Sequence, residues 1–129
     1  MSCAAALKVI NIVEREQILQ NVGRTGAYLE RRLEGLREFP IVGDIRGMLM
    51  MMGIEYVADR DSRAPFPVGA NVAGMVSRLT EKRGLLVRSC GNVNILSPCL
   101  TSTPDQVDFI VDTIAESLHE LCRALGERH

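Results

Sequence analysis

A chain of 129 residues with 47% apolar content has the size of one domain and can bury a modest core. Its net charge is −1, and its basic residues are dispersed rather than clustered, so it carries no electrostatic footprint for nucleic acid or an anionic membrane. The longest apolar stretches, such as residues 47–54, are too short to span a bilayer, and the N-terminus has no basic region followed by a long apolar run and a cleavage site.

The chain enters helix-forming residues almost at once, with Leu7, Ile10 and Val13 on one face. A break near Glu14-Arg15-Glu16-Gln17 precedes a second helix, whose apolar face is Ile18, Val22, Gly26, Leu29, Leu33 and Leu36 and whose end falls before Pro40. The dense apolar run from Ile41 to Val57, bracketed by glycines, predicts one buried strand over about 48–57, with residues 58–67 as a loop. A third helix follows, carrying Val72, Met75, Val76 and Leu79 and closing on Lys82-Arg83-Gly84. Residues 85–90 and 93–97 then flank Gly91-Asn92, a two-residue hairpin signal. The last helix has the clearest start: Thr103 as N-cap, Pro104 at the first position, Asp105 in the first turn and Gln106 three residues after the cap. The whole reads as one domain over residues 1–129, an α+β layer of helices on a small, largely antiparallel sheet.

Cys3, Cys90, Cys99 and Cys122 show neither Cys-x-x-Cys pairing nor ligand spacing, and with His119 and His129 alone no metal site is expected. That usage fits a reduced, cytoplasmic compartment. The methionine run Met48, Met50, Met51 and Met52 reads as adaptable core, and Cys99 as a buried packing thiol. Gly47 and Gly53 read as sites of close backbone packing, and His119 as a surface residue.

Four blocks, in order, carry a resemblance: Ser2-Cys3-Ala4-Ala5-Ala6-Leu7-Lys8, Val42-Gly43-Asp44-Ile45-Arg46-Gly47-Met48 through Gly53-Ile54-Glu55, Arg83-Gly84-Leu85-Leu86-Val87-Arg88, and Ile95-Leu96-Ser97-Pro98-Cys99-Leu100. They resemble the C-terminal part of a class III aminotransferase, the pyridoxal-phosphate-dependent group that includes the ω-amino acid:pyruvate enzymes. The resemblance implies the small domain of a fold-type-I enzyme, its large domain and a second subunit as partners, and an amino donor and a keto acid as substrates. Such enzymes hold the cofactor on a lysine, and the family places that lysine and the phosphate cradle upstream of this segment. The two lysines here, Lys8 and Lys82, read as solvated helix cations, so no catalytic or cofactor-binding residue is assigned. The expectation is a fragment, inactive and without bound pyridoxal phosphate when isolated. The alternative class is a free-standing, non-catalytic α+β module that binds a ligand or partner.

Arg88 is the one substrate-binding candidate. A guanidinium at a strand end holds a carboxylate through two parallel hydrogen bonds, which lysine cannot imitate. The resemblance implies that an arginine in this Val-Arg block binds the substrate's α-carboxylate and swings aside for a substrate lacking one. From the residues alone, Arg88 also reads as an exposed strand arginine or as one member of a structural ion pair. Arg46 is a second candidate, whose alternative is a structural arginine that satisfies loop carbonyls or pairs with Glu55.

Overall fold

The computed structural model describes residues 2–126, which leaves His129 outside the described residues. Four helices, α1 (Ser2–Arg15), α2 (Ile18–Glu34), α3 (Val72–Lys82) and α4 (Pro104–Gly126), accompany five strands, β1 (Val42–Met48), β2 (Met51–Asp59), β3 (Ala64–Pro65), β4 (Arg88–Cys90) and β5 (Val93–Leu96). The strands form one antiparallel sheet in the order β1-β2-β5-β4, with β3 paired to β2 off that path. This is the α+β layer the sequence predicts.

Strand alternation divides the sheet into two faces. Val42, Ile45, Met52, Ile54, Tyr56 and Leu96 are buried and meet Leu29 and Leu33 of α2 and Val72, Ala73 and Val76 of α3. The α4 helix lies against α2 and α3 and buries Val107, Val111, Ile114, Leu118 and Leu121. Each of these apolar side chains stabilises the fold by roughly 1.5–3 kcal/mol through its removal from water. The capping box of α4 forms as expected: Thr103 N–H donates to Gln106 Oε1 at 3.0 Å, and Gln106 N–H to Thr103 Oγ1 at 3.4 Å. The break after α1 is a left-handed Gln17 (φ 50°), and Phe39 before Pro40 is extended.

Four expectations require correction. The apolar run from Ile41 to Val57 holds two strands rather than one over 48–57: β1 and β2 pair as a hairpin with Met48 opposite Met51, turning at Leu49-Met50. No turn-forming residue marks the bend. Tertiary contacts hold it instead, for Leu49 sits at φ 51° with its N–H donating to the Glu30 carboxylate of α2, and Gly26 leaves the room the turn occupies, since a Cβ there would fall 2.7 Å from Leu49 Cβ. The hairpin register also splits the methionines. Met50 and Met52 are core, whereas Met48 and Met51 are 73% and 66% exposed because they point to the opposite face. Finally, residues 85–87 are not strand, although Leu85 and Val87 pack partly onto the core, and the loop after β2 contributes the short β3.

The α1 helix stands apart. Its contacts are with α2, and Leu7, Val9 and Ile10 are more than half exposed.

Candidate functional site

The exposed face of the sheet brings the two sequence candidates into one row. Arg46 of β1 pairs with Gly53 of β2, Gly53 with Ile95 of β5, and Ile95 with Arg88 of β4, so all four residues project to the same side. Three strand spacings separate the two arginines, about 14 Å. Gly53 lies in the middle, and beside it Met48, Met51 and Ile95 line a shallow apolar depression.

The two guanidiniums differ in their partners. Arg46 is neutralised within the fold: its Nη1 pairs with the Glu55 carboxylate and lies 3.3 Å from Asp44 Oδ2. Its hydrogen bond to Glu55 raises its pKa above the ordinary arginine value, against the opposing effect of burial. Asp44 is in turn held by Arg37, which also reaches Glu34 at 2.6 Å and the Ile45 carbonyl at 2.9 Å. Arg46 therefore takes the structural alternative, the pair with Glu55. For Arg88, no ion pair and no hydrogen bond of its guanidinium is found among the described residues. Arg88 is exposed on the edge strand, with its five donors unengaged by the protein.

The turn beside Arg88 is fixed from both sides. Gly91 takes φ 57°, as a two-residue hairpin turn demands. Asn92 accepts Tyr56 N–H through its carbonyl at 2.9 Å and donates from Nδ2 to the Phe66 carbonyl at 3.2 Å.

Sequence reasoning missed one polar group beneath this hairpin. Asn94 is 1% exposed and Tyr56 0%. Tyr56 OH donates to Asn94 Oδ1 at 2.8 Å, and Asn94 Nδ2 donates to the Ala73 carbonyl at 3.1 Å and to Ser77 Oγ at 3.0 Å. Burial pushes the Tyr56 phenol well above its ordinary range, so it stays a protonated donor. The signal available was strand parity: Asn94 and Leu96 share a face, and Leu96 is plainly core.

Lys8 and Lys82 are both exposed, the first on α1 and the second at the end of α3 beside a groove that Arg78, Glu120 and Leu121 also line. Cys99 is exposed, which corrects the buried-thiol expectation; it lies in the turn where Ser102 N–H donates to its carbonyl at 2.9 Å. His119 is exposed as expected and places its ring edge-on to Phe39, centroids 4.6 Å apart. Among the described residues no group of three His, Cys, Asp or Glu is placed to hold a metal, and no helix is long and apolar enough to cross a membrane.

A small antiparallel sheet thus carries helices on one face and, on the other, an arginine without a partner among the described residues. Residues 1–118 match the family model described as aminotransferase class-III, and the chain belongs to that family. An adenosylmethionine-8-amino-7-oxononanoate aminotransferase of Methanocaldococcus jannaschii is 33% identical over 118 residues, covering 92% of this chain and 26% of that protein. YhxA of Bacillus subtilis, an uncharacterized aminotransferase, is 38% identical over 127 residues, covering 93% of this chain and 28% of its own. Among solved structures, the PMP-bound form of an aminotransferase from Vibrio fluvialis superposes with a TM-score of 0.90 at 31% identity, over 94% of this chain and 27% of that one. The chain thus spans about a quarter of the length of the curated relatives it matches.

Proposed function

We propose that this chain is the C-terminal small domain of a longer pyridoxal-phosphate-dependent aminotransferase, which moves an amino group between an amine or amino acid and a keto acid, and that Arg88 receives the substrate carboxylate. The observation that carries the reading is the contrast on the exposed sheet face: Arg46 is occupied by Glu55 and Asp44, and Arg88 has no partner among the described residues. An unengaged guanidinium offers a carboxylate two parallel, charge-assisted hydrogen bonds.

The described residues do not fit the cofactor itself. A lysine that carries it must be desolvated beside a phosphate cradle and a carboxylate for the ring nitrogen. Lys8 lies on a fully exposed stretch of α1, and Lys82 is a solvated residue at the end of α3. The cofactor, its lysine and its phosphate seat therefore belong to the large domain, and the role of this chain is confined to binding and orienting substrate. The apolar side of α1 and the exposed Met48 and Met51 supply the surface by which the small domain rests on the rest of the enzyme. The parent enzyme is expected to dimerise and to act in the cytoplasm.

The test is kcat/KM for an amino acid and for a matched amine without the carboxylate, in full-length wild type, Arg88→Ala and Arg88→Lys. A charge-assisted hydrogen bond contributes about 1.5–3 kcal/mol, so losing the pair lowers the amino-acid value by roughly 100-fold or more. The amine value stays close to wild type, and Lys rescues only part of the loss because it lacks the planar fork. Equal losses for both substrates would make Arg88 structural and overturn its assignment.

A further inference from the structure

Arg88 sits on a strand with no side-chain anchor of its own. The β4 strand is the edge of the sheet, three residues long, and all three of its side chains are exposed. Its backbone is held laterally by β5, through the pairs Arg88 with Ile95, Ser89 with Asn94 and Cys90 with Val93. From beneath, where β4 faces α3, the buried Asn94 reaches its backbone. The Asn94 amide spans from Tyr56 in β2 to Ala73 and Ser77 in α3, and its Nδ2 also comes within 3.5 Å of the Arg88 carbonyl. Two N–H groups serve the two helix acceptors, and the Arg88 carbonyl is a long, shared third.

Stability does not account for this arrangement. Replacing both partners of a buried hydrogen bond by apolar groups of similar shape is nearly neutral, so Tyr56 and Asn94 are not needed to keep the core closed. What a directional amide supplies and an aliphatic side chain does not is a fixed geometry between β2, α3 and the edge strand.

We propose that Asn94, oriented by Tyr56, is a positioning residue: it sets the place of β4 and thereby the point at which the Arg88 guanidinium meets a substrate carboxylate. This rests on the reading of Arg88 given above. Asn94 itself is buried on the helix side of the sheet and touches no substrate.

The test uses the full-length holoenzyme and the paired replacement Tyr56→Phe with Asn94→Val, which removes donor and acceptor together and leaves Ser77 free to bond the Ala73 carbonyl. The melting temperature is expected to stay within about 5 °C of wild type. The ratio of kcat/KM for an amino acid to that for a matched amine is expected to fall about tenfold, chiefly through the KM of the amino acid, since a misplaced binding group weakens substrate and transition state alike. Amide hydrogen exchange at residues 88–90 is expected to quicken in the same variant. In an Arg88→Ala background the paired replacement costs no further preference, because both act through one contact.

A paired variant that keeps its substrate preference, while Arg88→Ala loses it, would leave the Arg88 reading intact and overturn the role given to Asn94. An unchanged preference in Arg88→Ala would overturn both. If the paired variant does not fold, Ser77→Ala decides in the same assay: the preference falls about threefold if the network positions β4, and an unchanged ratio refutes it.

Discussion

Two glycines that look alike in the sequence are expected to respond with opposite signs. Gly47 lies in β1 with φ 146°, and a Cβ built there would stand 2.1 Å from the Met51 carbonyl oxygen and 2.8 Å from Met52 Cα. Both obstacles are backbone of the paired strand, so neither can swing aside. A non-glycine residue in that region of φ costs about 1–3 kcal/mol, and forcing an extra carbon into filled space costs about as much again. Alanine at 47 therefore destabilises by about 2–6 kcal/mol, a large share of the ~5–15 kcal/mol available to a domain of this size. Gly23 lies in the exposed middle of α2, with nothing within 4 Å of a built Cβ and no positive φ. Alanine there stabilises by about 0.5–1 kcal/mol, since glycine is the poorer helix former. Urea unfolding followed by circular dichroism measures both, with the slope unchanged in each variant so that the midpoint reports stability. A loss below about 1 kcal/mol at Gly47 would refute the hairpin geometry on which the position of Arg46 and Gly53 depends, and any loss at Gly23 would refute its place in an exposed helix interior.

Other outcomes follow from the same structure. The chain alone is expected to show no transaminase activity and, titrated with pyridoxal phosphate, no absorbance change that disappears on replacing Lys8 or Lys82; a stoichiometric, lysine-dependent signal would contradict the division of roles. With Leu7, Val9, Ile10, Met48 and Met51 exposed, it is expected to self-associate, and a strictly monomeric sedimentation profile at high concentration would count against the docking role of those surfaces. Thiol alkylation followed by peptide mapping is expected to label the exposed Cys3, Cys90 and Cys99 before Cys122, whose pKa is raised by burial. The carboxyls of Asp44, Asp59 and Glu120 lie below their ordinary values of 3.8 and 4.5: burial raises Asp44 but Arg37 and Arg46 outweigh it, Ser62 holds Asp59, and Arg83 holds Glu120. Stability from such depressed groups is fully present above the ordinary values and lost as pH falls through the lower folded ones, so the unfolding midpoint is expected to be flat near neutrality and to drop below about pH 4.

What could be read in advance divides by the range of the interaction. The α4 start, the break at residues 14–17 and the Gly91-Asn92 turn are local devices, each written within a few neighbouring residues, and all three appear where the sequence puts them. The β1–β2 turn is different in kind. Leu49 and Met50 carry no turn preference, and the left-handed Leu49 persists because Glu30 and Gly26, from a helix some twenty residues earlier, hold and accommodate it. The site divides in the same way. Arg88 stands out in a short block that a family resemblance can carry, whereas the partners of Asn94 lie 38 residues away in β2 and 17 residues away in α3. A polar residue at a core-parity position of a strand is the local trace of such a network, because a buried amide without partners would cost too much to persist. In this chain that trace sits one register step from the candidate arginine, and its partners lie too far off in sequence to be named from it.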